Sequence, residues 1–209
     1  VNIPGLTGYA NESASGGVDP EDDAALFARL DARRKRPPTS GNVYYYEQLA
    51  LESDGVGLAK GVELYSGPGT VGILIASKDG TPVDETVVNA CAAHIEPERI
   101  IGTGVTVVSA QGVGVQINAA VKLDRTTTAD AVQAALTLAV REYFEELSKV
   151  WAKSKGDYTL LYNRVAFLLM AIDGVIDYID LSINGTMSNI VLTATQVPTL
   201  GEVTVVAVD

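Results

Sequence analysis

Alternating apolar and polar residues predict two adjacent strands in the first half of the chain. The alternation covers about 57–65 and 70–77, and the turn Gly67-Pro68-Gly69 separates the two runs. Successive side chains of a strand point to opposite faces of a sheet, so both runs are typical of strands. A helical pattern follows at about 84–96, and another apolar run lies at 104–110. Together these elements predict a compact β-β-α-β module.

The second half of the chain has a similar mixture of strand and helix patterns. These patterns predict strands at 113–123, 175–183, 189–195 and 203–208. A long helix is predicted at 129–147, with Thr128 as its N-cap, and a further helix at 158–171. The segment from Lys149 to Gly156 lies between them and contains Trp151. Its polar composition predicts a break between the two helices.

The N-terminal part of the sequence predicts an arm and two helices. Residues 1–18 are rich in Gly, Ser and Asn, which favours an extended arm. Asp19 and Pro20 are typical of the N-cap and first position of a helix, and Pro37-Pro38 prevent that helix from continuing. Asn42 predicts the cap of a short second helix.

The elements together predict an α+β fold. We expect two associated modules of mixed β-sheet with helices packed on one side, plus an N-terminal arm and helix. The expected domains are the arm and first helix at 1–40, a first module at 41–111 and a second module at 112–209. The chain begins at Val1 rather than Met, so we expect it to be a fragment of a longer protein.

Charge and composition disfavour several classes of partner. The 209 residues carry a net charge of −11, whereas nucleic-acid binding needs clustered Lys and Arg to neutralise phosphates. The same acidity disfavours docking on anionic lipid. The longest uncharged run, Ile100 to Val121, contains four glycines and three amide side chains, which favours two strands over a membrane helix. We therefore expect no nucleic-acid partner and no membrane insertion.

Few residues of the chain are suited to catalysis or metal binding. The single cysteine, Cys91, and the single histidine, His94, cannot supply the ligands of a Cys/His zinc site. The sequence contains no G-x-S-x-G motif whose serine His94 could activate as a general base. Asp19 and the run Glu21 to Asp23 lack the spacing of a calcium loop, and helix capping explains them. We expect no catalytic residue, no metal and no cofactor.

Two motifs leave alternative functions open. Gly67 to Gly72 match the G-x-G-x-x-G pattern of dinucleotide sites, but a strand follows where a helix is required, which favours a hairpin turn. Asp173, Asp177 and Asp180 suggest a carboxylate pair, although on a regular strand Asp177 and Asp180 point to opposite faces. Charges that protect an exposed strand edge explain them too. The alternatives are a hydrolase that acts on the cell wall and a small-ligand binding module.

Scarce aromatic residues and one basic run are the candidate contacts with partner proteins. Aromatic residues make up 6% of the chain and are favoured at interface hot spots. The candidate aromatics are Tyr44, Tyr45, Tyr46 and Trp151. The alternative for the tyrosines is that one or two of them pack inward. Arg33, Arg34 and Arg36 form either a solvated helix end or a contact with an acidic surface of a neighbouring subunit.

Several short motifs resemble one known family in their order and spacing. The motifs are Glu21-Asp22-Asp23, Leu26-Phe27-Ala28-Arg29, Gly41-Asn42 with Tyr46, Gly55-Val56-Gly57, and Gly67-Pro68-Gly69-Thr70-Val71. In this order the sequence resembles the baseplate J-like family of contractile-tailed phages and prophage elements. The resemblance extends from roughly Ser15 to Ala110 and is looser beyond. Members of this family build the wedge of the tail baseplate.

The resemblance implies a structural role without catalysis. It implies a component of a contractile-tail baseplate that acts through contacts with other baseplate or tail proteins. It also implies a location in the tail baseplate of the virion, after assembly in the cytoplasm of the bacterial host. A homo-oligomer is compatible with that role, and the sequence leaves the oligomeric state open.

Overall fold

The chain divides into two compact units, residues 1–37 and residues 38–209, which are described separately. The computed structural model describes residues 22–39 and 41–208. The helices within these ranges are either too short or too polar to cross a membrane.

The first unit contains helix α1, Asp23–Lys35. Asp22 caps this helix, because its Oδ1 atom accepts a hydrogen bond of 2.7 Å from the N–H of Ala25. The helix therefore begins later than the predicted start at Asp19 and Pro20, which lie outside the described residues. Its basic last turn suits the negative end of the helix dipole.

The second unit contains helices and strands in an alternating order. The helices are α2 (Val43–Leu51), α3 (Glu85–Ile95), α4 (Ala129–Lys153) and α5 (Tyr162–Met170), with a short 3-10 turn at Glu96–Glu98 after α3. The strands are β1 (Leu58–Glu63), β2 (Thr70–Ala76), β3 (Gly104–Ser109), β4 (Gln111–Leu123), β5 (Tyr158–Leu160), β6 (Val175–Ile183), β7 (Ile190–Leu192) and β8 (Gln196–Ala207). The α+β class predicted from the sequence is confirmed.

The first sheet has the order β1-β2-β3 and is covered on both faces. β1 and β2 form an antiparallel hairpin, and the crossover through α3 places β3 parallel to β2. Ile73 and Ile75 pack with residues of α2 and α3, whereas Leu74 packs with the core around α4. Burial on both faces explains the continuous apolar sequence of β2. The prediction placed helices on one side of the sheet, whereas this sheet has helices against both faces.

The second sheet has the order β6-β4-β8, with β6 antiparallel and β8 parallel to the central strand. The inward residues of β4 are Val115, Ile117, Ala119 and Val121, and all four are buried. They share one core with the inward faces of α4 and α5. Gln116 and Asn118, which alternate with them, are exposed. A separate two-stranded sheet pairs β5 with β7.

Helix α4 is longer than predicted, so the predicted polar break at Lys149 to Gly156 is wrong for residues 149–153, and the break begins at Ser154. The helix continues to Lys153. Phe144, Leu147 and Trp151 extend its buried face at helical spacing, and this burial outweighs the polar residues between them. The polar residues lie on the solvent side of the same helix.

The predicted helix at 158–171 and the predicted strand at 203–208 also differ from the structure. Residues 158–171 form β5 and α5 instead of one helix. Leu161 lies between the two elements, and its N–H donates to the Tyr143 hydroxyl at 3.0 Å. β8 begins at Gln196 and includes Pro198. Proline is tolerated there because β8 is an edge strand.

Candidate functional site

Trp151 is a core residue and not an interface residue, which corrects the prediction. Its side chain is 0% exposed. The indole Nε1–H donates to the backbone oxygen of Ala194 at 2.9 Å, so the polar edge of the ring is satisfied inside the protein. The continuation of α4 past Leu147 turns Trp151 inward, where no partner protein reaches it.

Lys60 meets Trp151 in the interior and links the two sheets. The Lys60 side chain is 4% exposed, and its Nζ donates to the same Ala194 oxygen at 2.8 Å. Nζ also lies 5.6 Å from the centroid of the Trp151 ring, within range of a cation–π contact. Ala194 is held from its other side, since its N–H donates to Asp157 Oδ1 at 3.2 Å. We call Lys60, Trp151 and Ala194 the Lys60 junction.

The pKa of the Lys60 amine is lower than that of an ordinary lysine. Burial lowers the pKa of Lys60, and the carboxylates of Asp157 and Glu47 act in the opposite direction. The junction connects strand β1 with the turn before strand β8, 134 residues further along the chain. Sequence patterns gave no indication of this residue, because an isolated Lys in a strand is ordinarily solvated.

Tyr46 is also a core residue, which corrects the second of the four aromatic predictions. Its side chain is 0% exposed and belongs to the core between the first sheet, α2 and α3. Its hydroxyl accepts the N–H of Ile100 at 3.3 Å. The alternative that one or two of the tyrosines pack inward therefore applies to Tyr46.

Tyr44 and Tyr45 are half-buried and stay candidate interface residues. The Tyr45 ring packs edge-on against Tyr46, with 5.4 Å between the ring centroids. Its hydroxyl donates to Glu98 Oε2 at 3.2 Å. Burial and the Glu98 carboxylate both raise the pKa of Tyr45, so its hydroxyl remains a neutral donor at physiological pH.

The predicted basic contacts lie at the end of α1, in the first unit. Arg33 and Arg34 are exposed, and Arg36 is half-buried. Lys35, within the same run, pairs with Asp31 at 2.6 Å, one helical turn away. The interface role of the three arginines stays a prediction.

The structure places the single cysteine and the single histidine in different surroundings. Burial raises the pKa of the Cys91 thiol, which disfavours the reactive thiolate. His94 lies at the surface, with its Nε2 3.8 Å from Glu52 Oε2. Within residues 22–39 and 41–208, no group of three or more His, Cys, Asp or Glu side chains could hold a metal ion.

Asp177 and Asp180 lie on the same face of the second sheet, which corrects the prediction of opposite faces. Asp180 pairs with Ala120 and Asp177 with Lys122, two residues apart on β4. Ile179 is an extra residue in a β-bulge. Because of this extra residue, Asp177 and Asp180 point to the same face although they are three positions apart in the sequence. Both carboxylates are exposed on an open sheet face.

The glycine-rich segment forms a hairpin turn, as predicted. Gly67 and Gly69 have φ values of 112° and 78°, a region that favours glycine, and β2 follows directly at Thr70. The chain does not enter a helix at this point, so the segment lacks the free helix N–H groups that a pyrophosphate requires.

Two surface features were not predicted from the sequence. An apolar tip, formed by Leu64, Tyr65 and Ile101, lies at one end of the first sheet, and Ile101 is 99% exposed. Leu64 has a φ of 57°, an unusual conformation for a branched side chain. The other feature is an open depression of about 420 Å³, which Arg141, Phe144 and Pro198 help to line.

Two family models match consecutive parts of the second unit. The Baseplate J-like central domain matches residues 38–109, and the Baseplate J-like protein C-terminal domain matches residues 115–206. The chain belongs to the baseplate J-like family. The resemblance found in the short sequence motifs is thereby confirmed.

Curated relatives agree with this baseplate J-like assignment. The chain is 31% identical over 212 residues to the protein YqbT of Bacillus subtilis (strain 168), covering 98% of this chain and 59% of the relative. The phage-like element PBSX protein XkdT of the same organism is 30% identical over 212 residues, with the same coverage. The baseplate protein gp47 of Escherichia phage Mu is 35% identical over 109 residues, 49% of this chain and 29% of gp47. The baseplate J-like chain thus spans about 59% of the length of YqbT and XkdT.

A solved structure shares the fold. The cryo-EM structure of the anti-feeding prophage (AFP) baseplate, 6-fold symmetrised, contains a chain that superposes with a TM-score of 0.57 at 12% identity. The superposition covers 90% of the baseplate J-like chain and 43% of that chain. At this level of identity the likeness shows the fold.

Proposed function

We propose that the chain is a structural component of a contractile-tail baseplate, a wedge protein that acts through contacts with other baseplate or tail proteins. The observation that carries this proposal is the match of the baseplate J-like central and C-terminal domains, in that order, over residues 38–206. The printed names of XkdT and gp47 support it, since one is a phage-like element protein and the other a baseplate protein.

The packing of the second unit suits a part that transmits force. Leu74 of the first sheet lies in the same core as Ile117 of the second sheet and Leu136 of α4. The Lys60 junction adds a buried polar link between the sheets. A shared, close-packed core resists deformation, so a load applied to one sheet reaches the other. We retain the predicted domain boundary between residues 111 and 112 as part of this proposal.

The geometry of the candidate residues supports a role without catalysis. Asp177 and Asp180 project from an open sheet face, whereas a glycosidase holds its two carboxyls across a bound sugar. The depression beside β8 places Arg141 near Asp79 and Glu145, so it mixes both charges. The cell-wall hydrolase and the ligand-binding module have no comparable observation in their favour.

The proposal includes a place and partners for the chain. It places the chain in the virion tail baseplate, after assembly in the cytoplasm of the bacterial host, alongside other baseplate or tail proteins. The net charge of −11 suits a protein whose copies repel one another until specific contacts form.

A complementation experiment tests the proposed function. The gene that encodes the chain is removed from a tail-producing strain and then restored, and tails are counted by negative-stain electron microscopy. We expect tails with baseplates only when the gene is present. Baseplates of normal number and shape in its absence would contradict the proposal.

A charge-neutral variant separates the structural role from the hydrolase alternative. Asp177→Asn with Asp180→Asn removes both carboxylates from the exposed face and keeps their size. We expect this variant to restore baseplates as well as the wild type does. Normal assembly combined with loss of peptidoglycan cleavage by purified tails would favour the hydrolase instead.

A further inference from the structure

The central domain, residues 38–109, and the C-terminal domain, residues 115–206, meet at one face of the first sheet. A single segment of chain, residues 110–114, connects them. Side chains of directly paired residues on neighbouring strands point to the same face of a sheet. The side chains of the first sheet that face the C-terminal domain are those of Leu58, Lys60 and Val62 on β1 and of Leu74 and Ala76 on β2. A lysine therefore lies in the middle of an otherwise apolar contact face.

Lys60 and Ser148 are unusual among the buried residues. Apart from aromatic residues and the single cysteine, they are the polar side chains that are buried in the described part of the chain, at 4% and 1% exposed. Both make a hydrogen bond across the domain boundary. Lys60 of the central domain donates to the backbone oxygen of Ala194 at 2.8 Å, and Ser148 of the C-terminal domain donates to that of Gly80 at 3.1 Å. We call these two bonds the interdomain contacts.

The C-terminal domain by itself holds the groups that surround the Lys60 amine. The Trp151 indole N–H donates to the Ala194 oxygen at 2.9 Å, and Asp157 Oδ1 accepts the Ala194 N–H at 3.2 Å. Neither of these bonds involves the central domain. Because hydrogen bonds depend steeply on distance and angle, Lys60 reaches this fixed acceptor in the present orientation of the central domain and loses it when that domain rotates.

The second interdomain contact is also a close fit. Gly80 has a φ of 74°, and its backbone approaches α4 so closely that a Cβ there would clash with Ser148. Gly80 lies between β2 and α3, whereas Lys60 lies within β1, so the two contacts bind the boundary at separate points. Two hydrogen bonds at separate points restrict a rotation that one bond alone would permit.

The buried Lys60 ammonium is a poor source of stability. It carries three N–H donors, and one of them has an acceptor among the described residues. Replacement of buried ionic groups by apolar side chains of similar volume is often neutral or stabilising. The Ala194 oxygen would remain satisfied after such a replacement, since Trp151 also donates to it.

The benefit of the interdomain contacts lies in their direction. Hydrophobic packing is non-directional, so the apolar side chains at the boundary favour contact without selecting one orientation. A rotated central domain would leave the Lys60 ammonium buried without its acceptor, and an unpaired buried charge is costly. The polar contacts therefore penalise every orientation but the present one.

We infer that the two interdomain contacts, rather than the apolar packing around them, determine the relative orientation of the central and C-terminal domains. Each domain contributes one donor and one acceptor, so the restraint is reciprocal. This inference goes beyond the proposed function and does not depend on it, because it concerns the chain by itself.

Residual dipolar couplings of the backbone amides test the inference in the purified chain. They report how each domain is aligned in a weakly ordered medium, so two domains in a fixed orientation share one alignment tensor. We expect one tensor to fit residues 41–109 and 115–206 of the wild type. Lys60→Met combined with Ser148→Ala removes both donors, and we expect its two domains to require tensors of different magnitude or direction. One shared tensor in this double variant would overturn the inference.

A matched control separates orientation from stability. Val165 is fully buried in α5, which packs on β6 and α4 within the C-terminal domain. Val165→Ala leaves a cavity there, so we expect a lower urea midpoint but one shared tensor. Lys60→Met should instead keep a urea midpoint at pH 7 equal to or above that of the wild type. A much lower midpoint with one shared tensor would overturn the inference, because Lys60 would then stabilise the chain without orienting its domains.

Ser148→Ala alone decides the question if the double variant does not fold. This small change removes one interdomain donor and leaves the Lys60 contact in place. We expect separate tensors for the two domains, with a smaller difference than in the double variant. A shared tensor identical to that of the wild type would overturn the inference.

Discussion

Lys60 shows how the setting of one residue changes its chemistry. Its amine is buried against Trp151, and burial lowers the pKa of Lys60. A lowered folded-state pKa means that the unfolded chain binds the proton more tightly. The contribution of Lys60 to stability is therefore greatest above the ordinary lysine pKa of about 10.4, and it is lost as the pH falls through the folded-state pKa.

A comparison with Lys60→Met isolates this dependence. Methionine keeps most of the volume of the lysine stem but does not titrate. We expect the free energy of unfolding of the wild type, minus that of the variant, to rise as the pH is raised towards about 10.4. Urea unfolding at a series of pH values measures it, with the exposed Lys122→Met as the control. A difference that falls with rising pH would contradict the assignment.

Trp151 and its neighbour Val150 test the corrected placement of the aromatic residue. Trp151 is fully buried, whereas Val150 is 52% exposed on the same turn of α4. We expect Trp151→Ala to lower the free energy of unfolding by about 3–5 kcal/mol, because it leaves a cavity in the core. Val150→Ala should change it by no more than about 0.5 kcal/mol. Similar effects in both variants, measured by chemical denaturation, would argue against the continuous helix.

Single residues were predictable from the sequence where their partners are close along the chain. Asn42 and Thr128 were predicted as helix caps, and each accepts the N–H three residues later, at Tyr45 and Ala131. These predictions are confirmed. The roles of Tyr46 and Trp151 depend on Ile100 and Ala194, which are distant in sequence. No local sequence pattern indicates a contact between residues so far apart in the chain.

At the scale of elements, the strands with strict alternation were predicted well. β4 appears close to its expected position, because burial of one face imposes a period of two. The β1–β2 hairpin also appears close to its expected position, and the continuous apolar run of β2 is typical of a strand that is buried on both faces. The first part of β8 was missed, since Pro198 and Gly201 are ordinarily signals of a turn. The bulge in β6 was missed as well, because an inserted residue breaks the alternation that reveals a strand.

Deletion of single residues tests the bulge. Removal of Ile179 eliminates the extra residue and leaves Leu181 facing the core, so we expect a change in stability of about 1 kcal/mol or less. Removal of Ser182, although its side chain is only half-buried, forces Leu181 or Ile183 outward. That deletion should cost about 2–3 kcal/mol or more. Thermal unfolding compares the two, and equal losses would contradict the register.

At the scale of the molecule, residues 38–208 form one compact unit with two sheets that share a core. The sequence indicated two modules but not their contact, since Leu74 and the Lys60 junction pair residues from opposite halves of the chain. The family resemblance indicated the proposed function more directly than any single residue did. Several short motifs in the right order identify an architecture, whereas surface contacts depend on which side chains the fold leaves exposed.

Cryo-EM of tail particles from the organism that encodes the chain tests the central claim most directly. The account predicts baseplate density into which residues 38–208 fit as one rigid unit, with both sheets in their present relation. Baseplates that contain no such density, in particles from cells where the chain accumulates free of tails, would contradict it.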